Sequence, residues 1–316
     1  MTKPICLLAY DGMELLDFAG PQSALHEAAQ VCSDSYELKV IGFSKAPVQC
    51  EAGLQIVPAI GIDEVKQCHT LIIPGGRGAR RIALPSVQMM RLKSLMSRCE
   101  RLVTICTGVY LAAEIGLPDN TRVATHWAFA PDLKKQYSSL AVDSESIFVQ
   151  DGKYWSSAGI TSGIDLTLRL IEIDCGPTVA HHVAKHLVVY SKRSGSQKQY
   201  SNVLDIQTPK SNRIAIITNW VKEHVSETIT VKQLSEVACL SERQCHRLFL
   251  KETAMTPARF VEKYRMQLAS DLLATTEKEV KSIALALGFK TYNGFARAFE
   301  RSFAVSPLKY RQSFFA

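Results

Sequence analysis

Short apolar runs alternate with amphipathic stretches along the first 175 or so residues. "PICLLAY", "YELKVIGF", "HTLIIPGG" and "RLVTICT" are almost wholly apolar and predict strands. Between them, "ELLDFAGPQSALHEAA" and "SVQMMRLKSLMSRC" place apolar residues at helical spacing. Strands that are apolar on both faces need cover on both, so the alternation predicts an α/β unit: a flavodoxin-like, mostly parallel sheet with helices on either side. "TRVATHW" and "SIFVQDGKYWSSAG" are two further strand candidates, and "ITSGIDLTLRLIEI" and "TVAHHVAKHLVVYS" are two further helices.

The pattern then changes. "KRSGSQKQYSNVLDIQTPK" is polar, with Gly, Ser and Pro, and reads as a linker. The expected division is a body at 1–195, a linker at 196–209 and an all-α domain at 210–316. The last part repeats itself at an offset of fifty: "RLFLKETAMTPARF" (247–260) lies over "RAFERSFAVSPLKY" (297–310). Each copy follows a short amphipathic helix and a tight turn. Gly288 suits the second turn, and Ser241 with Gln244 forms a capping box that starts the helix after the first. Two helix-turn-helix units are predicted.

Charge sharpens this division. Residues 1–207 carry 20 Lys+Arg against 20 Asp+Glu, whereas residues 208–316 carry 17 against 10, so the net +7 resides in the last third. A neutral body joined to a basic domain points to a polyanionic partner for the latter. With 316 residues, two domains are expected. No apolar run reaches the roughly 20 residues that span a bilayer, and the N-terminus lacks a signal-peptide pattern. A cytoplasmic protein without a membrane association is expected. Nine cysteines at irregular spacing, with no C-x-x-C pair, suggest neither a disulfide framework nor a zinc site.

A helix entering a major groove shows cations and polar donors on one face and anchors itself through the other. In the first unit Cys245, Leu248 and Phe249 share an inward face, leaving Arg243, His246 and Arg247 outward. In the second, Phe295, Ala298 and Phe299 face in, leaving Tyr292, Asn293 and Arg297 outward. Lys251 and Arg301 follow one turn later, at phosphate reach. With its ending "ALALGFKTYNGFARAFERSFAVSPLKYR", the segment from about 210 to 313 resembles the AraC/XylS family of bacterial transcription regulators. That resemblance implies two recognition helices, starting near Ser241 and Thr291, in successive major grooves of double-stranded DNA.

In "TICTGVYLAAEIGL" a strand ends at Cys106 and turns at once into a helix. A thiol at a helix N-terminus is expected to be exposed at the carboxyl edge of the sheet with a lowered pKa, although an ionised Asp17 nearby would raise it. Gly75 and Gly76 could offer bare backbone donors to an oxyanion or carboxylate. His126 follows another strand, and Asp17 opens a helix. Over about residues 4–175, "LIIPGG", "ICTG", "GL" and "ATHW" resemble the PfpI-type, glutamine-amidotransferase-like superfamily. The resemblance implies a nucleophile elbow at Cys106, an acidic partner at Asp17 and an oxyanion side at Gly75 and Gly76. Protease-like members carry a histidine directly after the cysteine, where this chain has Thr107; "CTG" with Asp17 is closer to the isocyanide-hydratase branch.

Together the two halves resemble GlxA-like regulators, whose bodies sense small nitrogenous metabolites such as amino acids or quaternary amines. The expectation is a sequence-specific, ligand-responsive transcription activator, not an enzyme. It would bind its effector near Asp17, Gly75, Gly76, Cys106, Thr107 and His126, act as a homodimer and engage RNA polymerase, with no cofactor. The rival readings are a hydratase or amidase with Cys106 as nucleophile, and a dimerisation scaffold with an inert pocket. His182 and His186 lie four apart on a helix but show no third ligand in the sequence, so no metal is expected.

Overall fold

The apolar runs pair into one seven-stranded sheet. The computed structural model describes residues 2–81, 84–189, 193, 195, 199, 212–303 and 305–315. In it the body runs β1 (Lys3–Ala9), α1 (Leu15–Val31), β2 (Tyr36–Gly42), β3 (Val48–Gln49), β4 (Gln55–Ile56), β5 (Ile60–Gly61) and β6 (Thr70–Ile73). It continues through α2 (Arg77–Arg80), α3 (Ser86–Arg98), β7 (Arg101–Ile105), α4 (Gly108–Gly116), β8 (Arg122–Ala124), α5 (Ala130–Gln136) and β9 (Ala141–Asp143). β10 (Phe148–Asp151), β11 (Tyr154–Ser157), α6 (Thr161–Cys175) and α7 (Pro177–His186) complete it. The sheet order is β10-β11-β7-β6-β1-β2-β5, parallel throughout except where β10 meets β11. The central order β2-β1-β6-β7-β11 is the flavodoxin-like arrangement.

Two strand expectations need correction. "SIFVQDGKYWSSAG" is a hairpin: Gly152, at φ 55, turns the chain between β10 and β11, which pair antiparallel. A single extended strand there ignores the Asp-Gly turn signal. "TRVATHW" does not join the main sheet, because β8 pairs in parallel with β9 in a separate two-stranded sheet.

Register explains where the site forms. Ile73 of β6 lies opposite Thr104 of β7, and Ile105 lies opposite Ser157 of β11. The next residues of these strands, Pro74–Gly76, Cys106–Thr107 and Ala158–Gly159, therefore emerge side by side at the carboxyl edge, where open α/β sheets bind ligands. α4, apolar on nearly every side, begins beneath this edge with Val109, Tyr110, Leu111 and Ala112 buried. At the opposite edge Arg101 makes a two-pronged bond to Asp174, both at 2.9 Å, joined by Lys3 and by the Tyr36 hydroxyl at 3.0 Å. Burial raises the Asp174 carboxyl, but these partners outweigh it and hold the group at about 2.

The chain divides into compact units at 1–199 and 200–316; the expected linker at 196–209 lies, Gln199 apart, outside the described residues. The second unit contains α8 (Asn212–Glu223), α9 (Val231–Val237), α10 (Glu242–Thr253), α11 (Pro257–Thr275), α12 (Val280–Ala286), α13 (Tyr292–Phe303) and α14 (Pro307–Phe315). Two small cores share α11 as a spine. Ile217, Leu234, Cys245, Phe249 and Phe260 fill the first; Met266, Leu273, Ile283, Phe295 and Phe299 fill the second. The capping box of Ser241 and Gln244 is formed, and Thr230 with Gln233 makes another at the start of α9. Gly288 turns the second unit at φ 75, as its place in the sequence suggests; in the first, Cys239 takes the same left-handed turn at φ 53. No described helix is long and apolar enough to cross a membrane.

Candidate functional site

Cys106 sits in the left-handed region at φ 55, which a side chain adopts only when its surroundings hold it there. Its N–H donates to Ser157 O at 2.9 Å, and its carbonyl accepts the Thr125 hydroxyl at 2.9 Å. Two glycines let the chain close over it. A Cβ on Gly159, itself at φ 97, would fall 2.2 Å from Cys106 Cβ, and one on Gly75 would fall 2.7 Å from it. The thiol is thus enclosed, with only 6% of the residue exposed. That corrects the expectation of an open sulfur at the sheet edge.

Asp17, fully buried, organises the elbow. Its Oδ2 accepts from Gly75 N at 3.1 Å and its Oδ1 accepts from Ile160 N at 2.6 Å, so the carboxyl is held facing the Cys106 thiol. Ile160 is β-branched at φ 50, a strained conformation that this bond helps to fix. Gly76 N donates to Thr107 Oγ1 at 2.9 Å. Both glycine N–H groups are therefore engaged by side chains of the protein, which corrects their reading as free oxyanion donors. Thr107 is buried and serves as a brace.

These contacts set the protonation states. Desolvation pushes the Cys106 thiol well above its ordinary value, and the facing Asp17 carboxylate adds to this; the Thr107 N–H and Arg80 pull weakly the other way. Of the opposing effects that the sequence left undecided, burial and the neighbouring carboxylate outweigh the helix N-terminus. Burial raises Asp17 to about 6, against the Ile160 and Gly75 N–H bonds. At neutral pH a carboxylate faces a neutral thiol, which is poor chemistry for a nucleophile.

A carboxyl raised in the folded state stabilises the fold fully below its unfolded pKa, and that contribution disappears as pH rises through the folded value. The body is expected to lose about 2 kcal/mol from this group between pH 4 and pH 7. Urea unfolding of the wild type and Asp17→Asn across that range checks it: their difference should shift by this amount, and a constant difference contradicts the assignment. Asp174 acts in the opposite sense, its contribution disappearing only as pH falls below about 4 through about 2.

His126 stands apart from the thiol. Its Nδ1 accepts from Ala128 N at 3.3 Å, and its ring lies against Trp127 and Phe129; burial, then Arg80, lower its pKa. Among the described residues no hydrogen bond joins the imidazole to Cys106. Sequence reasoning missed Arg80, whose guanidinium lies 4.2 Å from the Phe129 ring centre, 3.4 Å from Thr107 Oγ1 and 3.8 Å from Glu51. The only signal was the basic "RGAR" run directly after the glycine pair. Gln199 was missed too. Its amide donates to Thr125 O at 2.7 Å and to Ser146 O at 3.1 Å, while its oxygen accepts from Trp127 N at 2.7 Å.

In the second unit, Cys245, Phe249, Phe295, Ala298 and Phe299 are buried as expected. Arg243, Arg247 and Lys251 are exposed at four-residue steps along α10, and Asn293, Arg297 and Arg301 are exposed at the same steps along α13. The two stripes coincide at the offset of fifty. His246 is half-buried beside the first stripe. Tyr292 departs from expectation, since it is half-buried and packs on the second core. Arg301 also carries a partner, with Nη2 3.1 Å from Glu262 Oε1, so its phosphate role requires exchange of an exposed ion pair. Elsewhere in the body the His182 and His186 pair meets a carboxylate that spacing could not show, Glu27 of α1.

Comparison with known proteins follows this division. Residues 3–173 match the family described as DJ-1/PfpI, and residues 234–313 match a helix-turn-helix domain. The HTH-type transcriptional regulator CdhR of Pseudomonas aeruginosa is 27% identical over 311 residues, covering 98% of this chain and 92% of that protein. The isonitrile hydratase of Pseudomonas putida is 26% identical over 187 residues, covering 59% of this chain and 78% of the enzyme. A THiJ/PfpI family protein from Pseudomonas syringae has a solved structure that superposes with a TM-score of 0.55 at 20% identity, covering 75% of this chain and 91% of that one; it shows a shared fold.

Proposed function

The chain belongs to the DJ-1/PfpI family and carries a helix-turn-helix domain beyond that match, and from this premise we propose that it is a sequence-specific transcriptional regulator whose body senses a small nitrogenous metabolite. The observation that carries the reading is the pair of coincident stripes, Arg243/Arg247/Lys251 and Asn293/Arg297/Arg301, on helices anchored by separate cores. Each presents the donors that major-groove edges and phosphates require. A likeness to CdhR along nearly the whole chain supports it. The protein works in the cytoplasm as a homodimeric activator that contacts RNA polymerase.

The effector meets the wall near Thr107, where Arg80, held over Phe129, takes a carboxylate and the faces of Trp127 and His126 take a cationic group. Asp17, Gly75, Gly76, Cys106 and Thr107 form the rigid floor. The signal leaves through Gln199, clipped to Thr125 and Trp127 just before the chain continues to the second unit. Turnover is the rival reading, favoured by the likeness to isonitrile hydratase and the Cys106–Asp17 pair. The raised thiol and the engaged glycine donors favour sensing.

A thermal-shift screen of amino acids and quaternary amines finds the effector, because a ligand of the folded state raises stability by mass action. Arg80→Ala is expected to abolish that shift. Arg81→Ala serves as the control, since it lines a separate cavity of about 340 Å³ with Tyr10, Phe43 and Leu84. Cys106→Ser is expected to keep the fold and DNA binding while changing the ligand response. Gln199→Ala should bind effector normally yet lose its effect on DNA affinity. Turnover of isocyanides or amides by the wild type, lost in Cys106→Ser, would establish the enzyme reading instead.

A further inference from the structure

On α7, His182 and His186 lie one turn apart, and α1 brings Glu27 against both. Glu27 Oε1 is 2.7 Å from His186 Nδ1 and 3.5 Å from His182 Nε2. The three ligand atoms all lie within 4.8 Å of one another. The carboxylate is held at the foot of the group, 16% exposed, while the imidazoles are 54% and 59% exposed. We propose that Glu27, His182 and His186 form a Zn²⁺ site that ties α7 to α1, with water completing the coordination.

The donor set carries the choice of metal. Imidazole nitrogen with one carboxylate oxygen suits zinc, whereas magnesium prefers oxygen ligands and its own water. Zinc bonds of about 2.0–2.1 Å in tetrahedral geometry separate neighbouring ligand atoms by roughly 3.3 Å. The two separations to Glu27 fall on either side of that value, so small side-chain rotations close the site around an ion. A simple hydrogen-bonded pair accounts for His186 with Glu27. It does not account for His182 converging on the same oxygen from the preceding turn. Spacing alone could not reveal the group, because Glu27 comes from the other end of the body's sequence.

The consequence concerns the elbow. α1 carries Asp17 in its first turn, and α7 packs against α1. An ion joining their solvent-facing sides stiffens the helix pair behind the Asp17 bonds without touching them. The site stands independently of the effector reading, since neither stripe nor elbow residue belongs to it.

Chelator-treated full-length protein titrated with ZnCl₂ by calorimetry tests the proposal. One equivalent is expected to bind at micromolar affinity or tighter, with no response to MgCl₂. His182→Ala, His186→Ala and Glu27→Gln should each weaken binding at least tenfold while leaving the circular dichroism unchanged. Because the chain has nine cysteines, Co²⁺ provides the second readout. The expected spectrum shows tetrahedral d–d bands and no thiolate charge-transfer band. Absence of uptake, a thiolate band accompanying the bound equivalent, or binding indifferent to all three substitutions would overturn it.

Discussion

Arg247→Ala combined with Arg297→Ala is expected to weaken binding to the protein's preferred duplex by about 2–6 kcal/mol at fixed salt. Each arginine occupies the middle of its stripe, exposed on a helix whose opposite face is anchored by Phe249 or by Phe295 and Phe299. Loss of a good base contact costs about 1–3 kcal/mol, and contacts in separate grooves add. Lys251→Ala is predicted to behave differently, weakening all duplexes alike and reducing the salt slope by about one. Fluorescence anisotropy on specific and scrambled duplexes separates the two. A double variant within threefold of the wild type on the specific duplex would remove both helices from the groove.

Asp17→Ala is expected to destabilise the body by about 2–6 kcal/mol at pH 5. It leaves Gly75 N buried and Ile160 N half-buried without their acceptor, and each orphaned buried donor costs about 1–3 kcal/mol. At pH 8 the loss should be smaller by about 1.4 kcal/mol, because the wild type there bears the cost of a buried carboxylate. The strained Ile160 would relax without its tie, so Cys106 should also alkylate faster. Denaturant unfolding at both pH values, with an alkylation time course, checks this. Equal stability of wild type and variant at pH 5 would show that Asp17 does not hold the elbow.

The strands of the main sheet were legible because residues buried on both faces are predominantly apolar, and "HTLIIPGG" and "RLVTICT" are short apolar runs bounded by turn residues. The helices of the second unit were legible for a different reason: caps such as Ser241 with Gln244 are local, and the repeat at fifty gave each position a second witness. The elbow was legible only as a list of residues. Which N–H groups Asp17 engages depends on Gly75 and Ile160, brought together by β6 and α6 rather than by spacing. The thiol's state follows from burial that a helix-terminus argument does not contain. Arg80 and Gln199 escaped notice for the same reason, each being an ordinary polar residue until the fold places it beside Thr107 or Thr125. The hairpin at Gly152, by contrast, was announced by its Asp-Gly pair.

Sequence recognition by the second unit is the central claim, and selection from a random duplex pool by the full-length protein, followed by footprinting on the enriched sequence, measures it directly. The account predicts a single enriched motif, protected at two successive major grooves on one face of the DNA, with protection of one groove lost in Arg247→Ala and of the other in Arg297→Ala. A pool that stays random after selection, or protection unchanged by either substitution, would contradict it.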